Sequence, residues 1–165
     1  MLDLGDPDSV ATLQQRLDAD GIEVDILVNN AAFAPSGAFI DQDPERLRAM
    51  LQLNIVALTE LTHVFGRRMT QRRRAHILLV ASVGAYQPSP LAAAYSAAKA
   101  YVLSLGVALN VELAPSVGVT VVSPGLMDTE FHDVAGYTMK PSMRRTVLPT
   151  DRGAAIGLDA MFAGR

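Results

Sequence analysis

The stretch AHILLVASVGAYQPSPLAAAYSAAKAYVLSLGVALNVELA (residues 75–114) reads as strand, loop and helix in that order. AHILLVAS (75–82) holds aliphatic residues without alternation and ends on Ser82, which suits a strand buried on both faces of a parallel sheet. AAAYSAAKAYVLSLGVALNVELA (92–114) is an alanine-rich helix that stops near Ala114-Pro115. Two further runs resemble the first: VDILVNN (24–30) and VGVTVVSPG (117–125). Between them lie helical patterns. Val10, Leu13 and Leu17 mark one over Asp8 to Ala19. Asp43 and Pro44 read as N-cap and first helical position. Leu47, Met50, Leu51, Asn54, Leu58, Leu61 and Phe65 then recur three and four apart. A last helix is expected from Thr150-Asp151 to Phe162. Strands alternating with helices define the α/β class. Residues 126–149 form the longest stretch without periodicity, a length that usually marks a functional or mobile loop.

Bulk properties narrow the function. The 165 residues can bury a real core, on the order of 70% of the unfolded surface. Half the chain is hydrophobic and 19% is charged, ordinary for a soluble globular protein. A net charge of −3 argues against nucleic acid as the main partner. With no cysteine there are neither disulfides nor thiolate metal sites. No apolar run approaches the ~18 residues of a membrane span. MLDLGDPDS lacks the basic flank and apolar core of a signal peptide, so the expected location is cytoplasmic.

Tyr95 and Lys99 share a helix face at i, i+4. An ammonium beside a phenol favours the phenolate, so Tyr95 is expected to have a lowered pKa and to serve as an acid or base. Ser82 ends its strand at the carboxyl rim, where open α/β sheets bind ligands. Asn54 is an amide within an apolar stripe: it bends the helix, anchors a water, or sits exposed at the stripe's edge. NNAA (29–32) and SPGLMDT (123–129) follow the other two strands, the second with a Pro124-Gly125 turn and the Thr129 hydroxyl. The remaining motifs carry less. Ser96 to Lys99 also fits S-x-x-K, but no S-D-N or K-T-G follows. GRRMTQRRR (66–74) is a basic cluster at a helix end, where cations complement the dipole. His63, His76 and His132 are too scattered for a metal site, so none is expected.

The order ILVNNA, Asn54, Ser82, YSAAK and PGLMDT resembles the short-chain dehydrogenase/reductase family across essentially the whole chain. The resemblance implies an NAD(P)-dependent oxidoreductase that moves a hydride between NAD or NADP and a small-molecule alcohol or carbonyl. By the same resemblance Ser82 polarises the substrate oxygen, Tyr95 is the proton donor or acceptor, Lys99 lowers the tyrosine's pKa and holds the nicotinamide ribose, and Asn54 anchors a water in a proton relay. Asn30, Ala31 and Ala32 line the adenosine side, with Ala32 where the family carries glycine. Pro124, Gly125, Met127 and Thr129 face the nicotinamide, while Asp3 and Leu4 pack on adenine.

The family opens with a strand, a glycine-rich turn and a helix, whose amides hold the pyrophosphate. Gly5 and Gly21 do not form that turn. By motif order the chain starts at the end of the family's third strand and stops where its last would begin. The expected architecture is therefore a partial Rossmann-like, doubly wound parallel sheet in one truncated domain over 1–165. Family strands 4–6 are whole in it, LDL is a remnant of strand 3, and the outer edge of DILVNN is unpaired. Cofactor binding is expected to be weak or absent. The alternative is a shortened, inactive homologue that associates, as a homo-oligomer or with a relative, through the family's dimer helices bearing Asn54 and Tyr95. No nucleic acid and no membrane partner are expected.

Overall fold

The computed structural model describes residues 2–72, 75–129, 131 and 146–164. Its sheet has three parallel strands in the order β1 (Ile26–Asn29), β2 (Ala75–Val80), β3 (Val117–Val122). Register pairs Leu27 with Ile77 and Leu78 with Thr120. Helices α1 (Ser9–Ala19), α2 (Pro44–Leu51), α3 (Leu58–Met69), α4 (Ala93–Glu112) and α5 (Thr150–Phe162) precede, separate or follow the strands. Each lies within a segment where the sequence pattern placed a helix, the pattern from Leu47 to Phe65 being divided between α2 and α3. Asp43 caps α2 by accepting the Glu45 N–H at 3.0 Å, ahead of Pro44 at the first helical turn.

The core forms where α1, α3 and α4 meet β2 and β3, around Phe65, Met69, Ile77, Leu79, Val102 and Val119. β2 is buried on both faces, as its unbroken aliphatic run requires. β1 departs from that expectation. Ile26 is 44% and Val28 46% exposed, because β1 ends the sheet and no described element covers that face. Leu2–Leu4 forms no strand. A strand needs a neighbour to take its N–H and C=O groups; here Asp3 turns back to accept the Gly5 N–H at 2.9 Å, and Leu4 packs on the core cluster.

Two local features set the site. Between α2 and α3 the helix widens into a π-turn over Gln52–Ala57, centred on Asn54. Such turns concentrate at functional positions. And α4 lies close to the sheet because Gly106 carries no side chain: a Cβ there would run into Val121 and lie 2.9 Å from the Leu79 Cδ1.

At the opposite end of the strands, Arg68 pairs with Asp18 at 2.8 Å and Arg72 with Glu23 at 2.6 Å. These arginines of the basic cluster close the turn between α1 and β1; residues 73–74 lie outside the described residues.

Candidate active site

Ser82 stands just past β2 in extended backbone, φ −166° and ψ 158°. Its Oγ accepts the Gly84 N–H at 3.1 Å and so opens the 3-10 turn Val83–Ala85. Ala81 donates its N–H to the Val122 carbonyl at 2.8 Å, and Val83 donates to the Pro124 carbonyl at 3.0 Å. These two bonds fasten the ends of β2 and β3 together. Ser82 and Pro124-Gly125 therefore share the carboxyl rim of the sheet, the ligand edge of such folds; the tight turn expected at Pro124-Gly125 is not formed, and the chain first bends at Leu126.

Tyr95 enters from the first turn of α4, half-buried, with its phenol near the Ser82 side chain, whose hydroxyl favours the ionised phenol. Its ring meets that of Phe131 at 5.4 Å between centroids. Lys99 lies one turn on, 3% exposed, with Nζ 5.8 Å from the Tyr95 ring centroid. That amine donates to the Val80 carbonyl at 2.7 Å, which ties α4 to the end of β2.

The electrostatics correct one expectation. Burial raises the Tyr95 phenol above its ordinary value of 10.0, and the Ser82 hydrogen bond opposes that rise without overcoming it. The Lys99 amine four residues on is held by the Val80 carbonyl, and burial lowers its pKa to about 8.

A linkage prediction follows for Lys99. Its folded value lies below the unfolded one, so between pH 8 and about 10.4 the unfolded chain binds more protons and stability rises with pH. The full gain is on the order of 3 kcal/mol. Tyr95 acts oppositely, but only above pH 10, where unfolded tyrosine starts to ionise first. Urea midpoints should therefore climb from pH 7.5 to 9.5 in the wild type and climb less in Lys99→Met. Equal slopes would remove the buried-amine account.

Asn54 is 1% exposed, so it is not an edge residue. Its Nδ2 donates to the Phe33 carbonyl at 2.9 Å and its Oδ1 accepts the Phe33 N–H at 3.2 Å. The amide thus pairs with backbone as a neighbouring strand would, and it holds the segment after NNAA against the π-turn. Asn54→Ala strands both backbone groups of Phe33, for an expected loss of about 2 kcal/mol in urea unfolding. A loss under about 0.5 kcal/mol would mean that the Phe33 groups find other partners.

The other candidates divide. Leu4, Asn30 and Ala31 come together around a cavity of about 200 Å³ also lined by Leu13, Leu27 and Leu53. Asp3 is taken up in its own turn, and Ala32 is half-buried. Asn29 donates to the Thr62 hydroxyl at 2.9 Å and braces β1 on α3. Met127 packs its thioether on Gly153 of α5, while its backbone bridges to Leu148. The Thr129 hydroxyl accepts the Phe131 N–H at 3.3 Å. Of the 126–149 stretch, residues 130 and 132–145 lie outside the described residues, His132, Tyr137, Met139 and Met143 among them. Among the described residues no His, Cys, Asp and Glu group could hold a metal ion, and no helix is long and apolar enough to cross a membrane.

Sequence reasoning passed over Phe33, Gly84 and Phe131. A buried amide at Asn54 was the available signal that a backbone partner had to exist. Nothing local marked that partner as Phe33.

The chain is similar to known proteins over most of its length. A family model described as short chain dehydrogenase matches residues 1–138. A probable oxidoreductase, EphD of Mycobacterium tuberculosis, is 32% identical over all of this chain, which spans 28% of that protein. Dehydrogenase/reductase SDR family member 4 of Sus scrofa is 40% identical over 67% of this chain and 40% of its own length. A short-chain dehydrogenase from Sphingobium yanoikuyae, solved in complex with NADPH, superposes with a TM-score of 0.83 at 35% identity, covering 96% of this chain and 62% of its own. The bulky-bulky ketone specific alcohol dehydrogenase from Comamonas testosteroni gives 0.79 at 27% identity, over 97% of this chain and 59% of its own. The chain thus spans less than two thirds of the length of each of these four relatives.

Proposed function

The chain belongs to the short-chain dehydrogenase family, and from that premise we propose that it is the catalytic region of an NAD(P)-dependent oxidoreductase acting on an alcohol or carbonyl. The observation that carries this reading is the Ser82 hydroxyl and the Tyr95 phenol meeting at the carboxyl rim, with buried Lys99 one turn on. The residues present fit one part of a dinucleotide. Tyr95, Lys99 and the Pro124-Gly125 segment would hold the nicotinamide and its ribose; Leu4, Asn30 and Ala31 would border the adenosine at the 200 Å³ cavity. For the pyrophosphate, no glycine-rich turn joins a strand to a helix among the described residues, which supports weak binding by this chain.

When bound, a nicotinamide supplies the hydride. The protein's own part is proton control. Ser82 takes the Gly84 N–H on its oxygen, which leaves its O–H free to point at the substrate oxygen or at Tyr95. Tyr95, raised by burial, stays protonated at neutral pH and can give its proton to a carbonyl oxygen that gains charge. In this desolvated setting a protonated Lys99 stabilises the phenolate that results. Asn54, fixed at the π-turn, would support a water that returns protons to this pair. The substrate is a small molecule, and the setting we assign is a single domain working in the cytoplasm.

The test is ketone-dependent oxidation of NADPH and NADH at high cofactor concentration, across small and bulky ketones, with alcohol oxidation as the reverse. Turnover abolished by Tyr95→Phe supports the reading; no turnover with any ketone or alcohol at any cofactor concentration counts against it. Fluorescence titration addresses affinity separately, and micromolar binding would overturn the weak-binding proposal.

A second reading, association through α3 and α4 without catalysis, is favoured by one feature. The two helices touch through a 2.9 Å Thr59–Tyr101 hydroxyl contact, and their outer surface carries exposed Val107 and Val111. Sedimentation velocity, alone and mixed with a full-length relative, tests it; a monomer in both rejects it.

A further inference from the structure

Beyond Pro124-Gly125 the chain is fastened again almost at once. Leu148 donates its N–H to the Leu126 carbonyl at 2.9 Å, and Asp128 donates to the Leu148 carbonyl at 3.1 Å. These bonds make a parallel bridge between Met127 and Leu148. The Thr150 hydroxyl, on the first turn of α5, donates to the Asp128 carbonyl at 2.6 Å. The base so formed ends at Thr129, whose hydroxyl takes the Phe131 N–H at 3.3 Å. From there the Phe131 ring reaches Tyr95, with 5.4 Å between centroids and a tilt of 50°. That separation lies within the range of favourable aromatic pairs. A segment anchored on α5 thus delivers an apolar ring onto a side chain of α4.

We propose that Phe131 is a positioning residue for Tyr95: its ring, held on the tyrosine ring from the anchored segment 126–129, shuts water from one side of the phenol and keeps it in the protonated, donating form. A phenolate needs water or hydrogen-bond donors around it, whereas the neutral phenol tolerates an apolar neighbour. An aromatic ring removes the first and supplies none of the second. The direction seen at Tyr95 agrees: burial raises the phenol, and the Ser82 hydroxyl opposes that rise. Two charged groups of the described residues belong to the elements involved. Lys99, on α4 itself, has its Nζ 5.8 Å from the Tyr95 ring centroid and is tied to the Val80 carbonyl. Asp128, in the segment that carries Phe131, is exposed. Replacing Phe131 alters neither charge, so the substitution isolates the apolar cover. For the reaction, that cover keeps Tyr95 loaded with the proton that carbonyl reduction consumes.

This inference rests on the reading of Tyr95 as the proton donor, and the experiment separates the two. Tyr95 ionisation is followed at 295 nm as the difference between each protein and its Tyr95→Phe counterpart, with no cofactor or substrate present. Phe131→Ala should lower the Tyr95 pKa toward 10.0, and Phe131→Leu, which restores an apolar cover without the ring, should recover most of the difference. A ring that only packed would change stability and leave this titration where it was. An unmoved titration in Phe131→Ala, with Tyr95→Phe inactive in ketone reduction, defeats the Phe131 proposal alone. Turnover that survives Tyr95→Phe defeats the donor reading, and with it the role given to Phe131. A second readout uses the wild-type chain: nuclear Overhauser cross-peaks are expected between the ring protons of Tyr95 and Phe131. Both rings assigned without such a cross-peak overturn the proposal, whichever variants fold.

Discussion

Tyr95→Phe is expected to lower carbonyl reduction by about 10²–10⁴-fold, the usual worth of a positioned proton donor, with little change in fold or cofactor affinity. The substitution removes one oxygen. The ring keeps its place against Phe131 at 5.4 Å, and Lys99 keeps its bond to the Val80 carbonyl, so the local frame does not depend on the phenol. What is lost is the proton donor, together with the Ser82 partner that opposes the burial-driven rise in its pKa. A companion measurement needs no turnover: the phenol that titrates above 10 in the wild type should vanish from the ultraviolet titration of Tyr95→Phe. A variant within threefold of wild type in rate would take the acid/base role away from Tyr95, whatever the titration shows.

Gly106→Ala should give a large loss of stability, against the usual trend for glycine in a helix. Propensity alone favours alanine by about 1 kcal/mol in a helix interior. Here the new methyl would run into the Val121 Cγ2 and lie 2.9 Å from the Leu79 Cδ1. Both belong to the sheet; Leu79 is wholly buried and has no space to retreat, and Val121 is partly buried and stiff at χ1. Overpacking of this kind costs about 1–3 kcal/mol and sometimes more. With direct overlap on a strand side chain we place the net loss at about 2 kcal/mol, at the upper end of that range once propensity is subtracted. Relief can come only if α4 lifts from the sheet. Lys99 and Tyr95 sit about two and three turns earlier on the same helix, so activity should fall with stability. Trimming the obstacle in Gly106→Ala/Val121→Ala should recover part of the loss. Gly153→Ala is the control. There the nearest atom is the Met127 Cε at 2.7 Å, the end of a flexible side chain that can swing aside, and the change should be neutral or slightly stabilising. Urea unfolding of the four proteins decides it; a Gly106→Ala chain as stable as wild type would show that α4 does not need its close approach.

The sequence by itself determined the elements and their order. Unbroken aliphatic runs at 75–82 and 117–125 suit strands covered on both sides, and the three- and four-residue spacing from Leu47 to Phe65 suits a helix. Ser82 at a strand end and the Tyr95–Lys99 spacing were equally legible, since both are set within a few residues by backbone geometry. The tertiary structure decided what depends on distant neighbours. It left Ile26 and Val28 exposed, because cover for a strand comes from other elements. It denied Leu2–Leu4 a strand, because pairing needs a partner. It gave Asn54 the Phe33 backbone and a π-turn. It also set the electrostatics at Tyr95 and Lys99: spacing fixed which groups meet, but desolvation, which depends on everything packed around them, raised the phenol and lowered the amine.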